Sequence, residues 1–165
     1  MKIKHLVIGC SVLLSAHSAM AQQKPEDVIR NRQATFNVIA ANVGRIKANL
    51  DGDYKKDQVV KAAAVIQAIA NAGLNSLFVA GTDKGVGYHE SQAKAELFDP
   101  ANSKKVDEVV DNFNEQANQL ALLTTIGDKA AVQAQFGKFR ATCKACHDSF
   151  RVDSTAATPA PAPAK

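Results

Sequence analysis

Apolar residues recur along this chain at the three- and four-residue spacing of helices, not the alternate spacing of strands. Lys24-Pro25-Glu26-Asp27 places proline early in a first turn and acids where the helix dipole favours them. Ile29, Phe36, Ile39, Val43, Ile46 and Leu50 then mark one stripe, which Asp51-Gly52-Asp53 stops. A second helix is predicted from about Asp57 to Ala80, with Val59, Ala62, Ile66, Ile69, Gly73 and Leu77 on its stripe. It is rich in alanine, as close packing against neighbours requires. A third begins near Asp99-Pro100 and carries Val106, Val110, Phe113, Ala117 and Leu120. Gly127 ends it, and Asp128 is placed to cap the fourth. In that last helix Val132, Phe136, Phe139, Cys143, Cys146 and Phe150 alternate steps of four and three, an a/d heptad seam that turns both cysteines inward. Each helix spans roughly 20 to 25 residues, or about 30 to 37 Å. The predicted fold is all-α, an antiparallel four-helix bundle.

The connections differ in length. Two are short turns, whereas residues 81–98 form a long segment marked by Gly81, Gly85 and Gly87. A segment of that length in a small domain is usually functional or a crossover. Outside the helices the pattern changes again. Residues 1–21 read as a secretory signal: Lys2 and Lys4 precede the apolar run Leu6 to Ala16, and Ala19-Met20-Ala21 offers small residues for cleavage after Ala21. Val7-Ile8-Gly9-Cys10 is a poor lipoprotein signal, because the apolar run continues past it to a better site. Residues 153–165 form an Ala/Pro/Thr tail with nothing to bury, expected to be disordered. The domain is therefore 22–152.

Export would change the composition decisively. The full chain of 165 residues has 3 cysteines, 4 histidines and 2 methionines. Removing the signal takes Cys10, His5, His17, Met1 and Met20, and so every methionine. It leaves Cys143 and Cys146, with His89 and His147. No structural disulfide remains to be proposed, and a His/Met-ligated haem is excluded. Eighteen basic residues then face 16 acidic ones, a formal charge of +2 that is too weak and too interspersed for nucleic-acid binding. The expected location is the periplasm, with no further membrane segment.

Candidate chemistry converges on Cys143-Lys144-Ala145-Cys146-His147, the Cys-x-x-Cys-His attachment signature of a c-type haem. Two thiols three positions apart on a helix can each add across one porphyrin vinyl group. The next histidine can then supply an axial nitrogen to the iron. A thioredoxin-type pair needs a βαβ setting that is absent here. A zinc site needs further Cys or His ligands, and only His89 remains.

These features together resemble the cytochrome c′ family, the class II c-type cytochromes. The resemblance rests on the stretch from Phe136-Gly137 through the motif and Asp148 to Phe150-Arg151. Lys24-Pro25-Glu26-Asp27 with Arg32-Gln33 and Phe36 is similar to the family's first helix. Gln92-Ala93-Lys94-Ala95-Glu96-Leu97-Phe98 resembles the stretch before the third, departing from it at Ala95 and Phe98, where proline and tryptophan are common. The resemblance implies one covalent haem c per chain on Cys143 and Cys146, with His147 as the axial iron ligand. It implies Arg32 and Gln33 near a haem propionate, Gln92 at the haem edge, Phe36 over the distal face and Arg151 beside the proximal histidine. Arg32 and Phe36 are four apart and share a helix face, and a guanidinium suits a carboxylate. The plainer readings are core packing for Phe36, a solvated charge for Arg32, dipole compensation for Arg151 and a surface side chain for His89. His89 as a second iron ligand is the alternative.

By the same resemblance, the iron is five-coordinate and high-spin and binds small diatomic gases, nitric oxide foremost and carbon monoxide more weakly. Sequestration, carriage or sensing would follow, in a homodimer formed through the first two helices. The alternative is a periplasmic electron carrier with a redox partner protein; Lys138 and Lys144 are candidate docking charges. Low-spin carriers on this bundle use a methionine that this chain lacks. An enzyme is not expected, since a peroxidase needs a distal acid/base where position 36 supplies a phenyl ring.

Overall fold

The computed structural model describes residues 23–152. The predicted signal and tail fall outside them. Four helices account for most of the chain: α1 (Pro25–Asp51), α2 (Lys56–Ala70), α3 (Ser103–Ile126) and α4 (Lys129–Phe150). Among the described residues no helix is long and apolar enough to cross a membrane.

Local chemistry sets most helix ends where the sequence placed them. Pro25 occupies the first turn of α1 with Glu26 and Asp27 beside it. Asp99 accepts from the Ala101 amide and opens a single 3₁₀ turn that leads into α3. Asp128 accepts from the Ala131 amide at 2.8 Å and caps α4. The second helix is the exception. The stripe predicts it to Ala80, but α2 stops at Ala70. Asn71 caps it, Gly73 adopts a left-handed conformation at φ 83°, and Leu74–Leu77 make one 3₁₀ turn. Apolar periodicity persists through the break, so the pattern alone hides it. The redirected chain carries Leu74 and Phe78 towards the space between α1 and α4.

The helices pack α1 on α2, α2 on α3 and α3 on α4. Amide pairs fix the antiparallel register of α2 and α3, with Gln67 and Asn71 on Asn118 and, beyond the end of α2, Asn75 on Asp107. The core runs from Ile46, Val59 and Ile66 through Ala117 and Leu120 to Val132 and Phe139, all fully buried. Phe113 and Phe139 meet with ring centroids 5.1 Å apart. At the far end Lys56 donates to the Gly127 carbonyl and Lys129 to that of Gly52, clipping the two short turns together. One seam is missing: α1 and α4 form no packed interface comparable with the other three.

Candidate functional site

The missing seam is a cavity. A cleft of about 740 Å³ lies between α1 and α4, within the range of cofactor pockets. Its floor is apolar: Ile39, Leu74, Leu97, Val110, Phe113 and Phe150. The α1 wall presents Phe36, Ala40 and Val43, and the α4 wall Cys143, Cys146 and His147. Arg140, Lys144 and Asp148 stand at the rim and open to solvent.

Helix geometry alone places the α4 trio. Cys146 follows Cys143 by three residues and His147 by four, so all three share one side of the helix. Both cysteines are half-buried, reduced and packed against the core. Burial pushes both thiols up in pKa; for Cys143, hydrogen bonds and Arg140 offset part of this, and for Cys146 the neighbouring thiol adds to it. Reactive redox pairs show the opposite shift, because they need a ready thiolate. Among the described residues no group of three or more His, Cys, Asp or Glu side chains converges as a metal site. The imidazole of His147 is shifted down, first by desolvation and then by the charge of Arg151, with Asp148 opposing. A neutral imidazole is the form that carries a lone pair for a metal.

Arg151 ends α4 in an extended conformation, and its amide donates to the His147 carbonyl at 2.9 Å. Its guanidinium donates from Nε to Gln92 Oε1 at 3.0 Å and also from Nη2 to the same oxygen. The backbone repeats the link: Lys94 N–H donates to the Phe150 carbonyl at 2.8 Å and Val152 N–H to that of Gln92 at 2.9 Å. Gln92 and Arg151 both line the cleft.

Arg32 and Gln33 also line it, but their hydrogen bonds go to the long connection. Arg32 is buried and donates to the carbonyls of Leu77 and Thr82, to Thr82 Oγ1 and to Ser91 Oγ, with distances of 2.6–3.1 Å. Its guanidinium lies 5.3 Å from the Phe98 ring centroid, which gives the phenyl at that position a role in holding the cation. Among the described residues no carboxylate pairs with it within 4 Å, and four of its five N–H groups are engaged, leaving Nε–H. Gln33 accepts from the Tyr88 amide at 2.7 Å and donates to the His89 carbonyl at 2.8 Å. His89 lines the cleft, with its Nδ1 2.7 Å from the Glu90 carbonyl and 3.2 Å from Gln33 Nε2. Sequence reasoning missed Thr82 and Ser91. Small hydroxyl residues in a glycine-marked loop carry no pattern, and only the fold shows what they hold.

These residues fit a covalent haem. An apolar slot occupies the place of a helix seam. Two thiols and an imidazole are aligned on one wall, a phenyl ring stands on the other, and cationic side chains lie at the ends.

Comparison with known proteins agrees. The family described as cytochrome C′ matches residues 27–151. A cytochrome c′ of Rhodocyclus tenuis is 51% identical over 129 residues, covering 78% of this chain and 96% of that protein. A solved cytochrome c′ with an unusual ligand-controlled dimer dissociation superposes with a TM-score of 0.76 at 41% identity, covering 81% of this chain and all of that one. Cytochrome c′ of Alcaligenes xylosoxidans, solved as a variant with carbon monoxide bound, gives 0.68 at 26% identity, over 79% of this chain and 98% of its own. Another variant of it with nitric oxide bound gives 0.67 at 26%, over 78% and 98%.

Proposed function

Because the chain belongs to the cytochrome c′ family and carries covalent haem c, we propose that it binds small diatomic gases at a five-coordinate iron, nitric oxide above all. The setting is the periplasm, after cleavage following Ala21. When bound, the haem supplies the iron site that a gas occupies. Everything else falls to the chain's own residues. Cys143 and Cys146 would hold the porphyrin by thioethers, and His147 would give its lone pair to the iron. The observation that carries the reading is the wall opposite His147. There α1 presents the apolar side chains Phe36, Ile39, Ala40 and Val43, with the polar Asn37 beside them exposed to solvent. The four apolar side chains would give the iron no sixth ligand and a bound gas no hydrogen bond. Neutral diatomics with strong intrinsic bonding suit such a wall; dioxygen, which needs polar stabilisation, does not. Arg32, Gln33 and Gln92 sit at the haem edge, where Arg32's remaining Nε–H and buried charge favour a propionate. One relative, solved as one variant with nitric oxide and as another with carbon monoxide, supports the ligand class. Ligand-controlled dimer dissociation in one relative supports a homodimer here. The second reading, electron transfer, is favoured by the exposed rim at Arg140 and Lys144, which brings the haem edge within reach of a partner.

The test is an optical and spin-resonance spectrum of purified ferric and ferrous protein with and without nitric oxide, alongside the intact mass. A single broad ferrous visible band, a high-spin ferric signal and a mass of residues 22–165 plus one haem are expected. Sharp split bands without added ligand would mean that a side chain, His89 first, fills the sixth position. A mass without haem would overturn the reading entirely.

A further inference from the structure

We propose that Gln92 is a positioning residue for the axial histidine: it holds the Arg151 guanidinium beside His147, so that the strength of the histidine–iron bond is set from the long connection. The inference rests on the reading that His147 ligates the iron.

The geometry is specific. Arg151 begins the first extended residue after α4, and its amide closes the last helical turn onto the His147 carbonyl. A long side chain at a helix end, half-exposed as this one is, normally samples several rotamers. Here two of its donors, Nε and Nη2, converge on one oxygen, Gln92 Oε1. Gln92 is itself fixed. Its carbonyl accepts from the Val152 amide, and its neighbour Ser91 is gripped by Arg32 on the opposite wall. An amide is the informative choice at this place. A carboxylate would also bind the guanidinium but would cancel its charge; glutamine holds the charge without neutralising it.

That charge has a consequence for the ligand. A cation near the imidazole opposes build-up of negative character on the ring, so His147 donates less strongly to iron. A weaker histidine bond is more easily lost when a strongly bonding gas arrives on the other side. The cation also disfavours the more positive ferric state and raises the reduction potential. Arg151 follows His147 by four residues, is bonded through its amide to the His147 carbonyl, and lines the same cleft.

The test uses the haem-loaded protein and the variants Gln92→Leu, Gln92→Glu and Gln92→Asn. Resonance Raman spectroscopy of the ferrous form reads the iron–histidine stretch, and potentiometry reads the midpoint. Gln92→Leu frees Arg151 to swing into solvent. The stretch should rise, and the midpoint should fall by an amount equal to about a threefold to tenfold change in the one-electron equilibrium. Gln92→Glu should lower the midpoint too, by neutralising the charge in place. Gln92→Asn, shorter but chemically alike, should fall between Leu and wild type; it carries the test if Gln92→Leu fails to load haem. In an Arg151→Leu background the Gln92→Leu shift should vanish, since the two act as one unit. An unchanged stretch and midpoint in folded Gln92→Leu or Gln92→Asn would overturn the proposal. So would a shift that persists undiminished without Arg151. A wild-type ferrous spectrum with no iron–histidine band would instead remove the ligation reading on which it rests.

Discussion

Phe36 shows how a single side chain acquires two meanings. On its stripe it has the spacing of an ordinary core residue, yet it is only half-buried, because one face of the ring looks into the cleft. A gas arriving at the iron must push that ring aside in dense surroundings, at a cost. Each 1.4 kcal/mol or so of that cost is a tenfold loss of affinity. Phe36→Ala should therefore strengthen carbon monoxide binding by at least about tenfold, as read by equilibrium titration of the ferrous protein. No gain would mean that the ring does not gate the site. Tyr54 is a second informative residue. Its hydroxyl is buried and makes no hydrogen bond among the described residues, and burial, then Asp128, raises its pKa. Lys129 lies 5.8 Å from the ring centroid and interacts with the ring, not the hydroxyl. An orphaned hydroxyl costs free energy, so Tyr54→Phe should be neutral or stabilising by up to about 1 kcal/mol in urea unfolding. A loss greater than that would reveal a partner. The sign with pH follows: a raised folded pKa means that wild-type stability falls as pH climbs past tyrosine's ordinary value, and the phenylalanine variant should lack that fall.

Among the elements, the connection from Gly81 to Phe98 does more than join two helices. Arg32 and Gln33 strap it to α1, and Gln92 to Lys94 strap it to the end of α4, so it spans the mouth of the missing seam. Gly87 lets it approach closely. A Cβ there would lie 2.5 Å from Gln33 Oε1 and 2.8 Å from the Arg30 backbone nitrogen. The glutamine can rotate away, but the helix backbone cannot yield. Gly87→Ala should lift the strap off α1, cost about 1 to 3 kcal/mol by overpacking, and speed proteolytic cleavage between 81 and 98. Limited proteolysis followed by mass mapping checks it. Unchanged cleavage would show that the connection is held without that contact.

At the scale of the molecule, three packed seams and one open one make a bundle that is complete only with something apolar in its fourth groove. The outer faces of α1 and α2 remain free, with Val38 at 45% and Val65 at 38% exposure. A second copy covering those faces would remove this apolar surface from water. Sedimentation of the haem-loaded protein at micromolar concentration should give twice the chain mass. Val38→Arg with Val65→Arg should give the monomer with helical content unchanged. A variant that remains dimeric would move the interface elsewhere, with exposed Leu122 and Ile126 on α3 as the next candidates.

The four helices and the alignment of Cys143, Cys146 and His147 were readable from the sequence, because both follow from the helical repeat, a local property. The cap at Asp128 was readable for the same reason: a carboxylate three residues before an unpaired amide needs no tertiary help. The early end of α2 was not, since Gly73 sits at a position where its stripe would otherwise continue, yet the chain turns there through a left-handed glycine. Arg32 is the sharpest case. Its spacing from Phe36 put it beside the haem site, but nothing local could show that Thr82 and Ser91, 50 and 59 residues away, would take most of its donors. Such pairings depend on where a long, patternless connection is laid down. That is settled by which buried charges must find partners once the helices have packed.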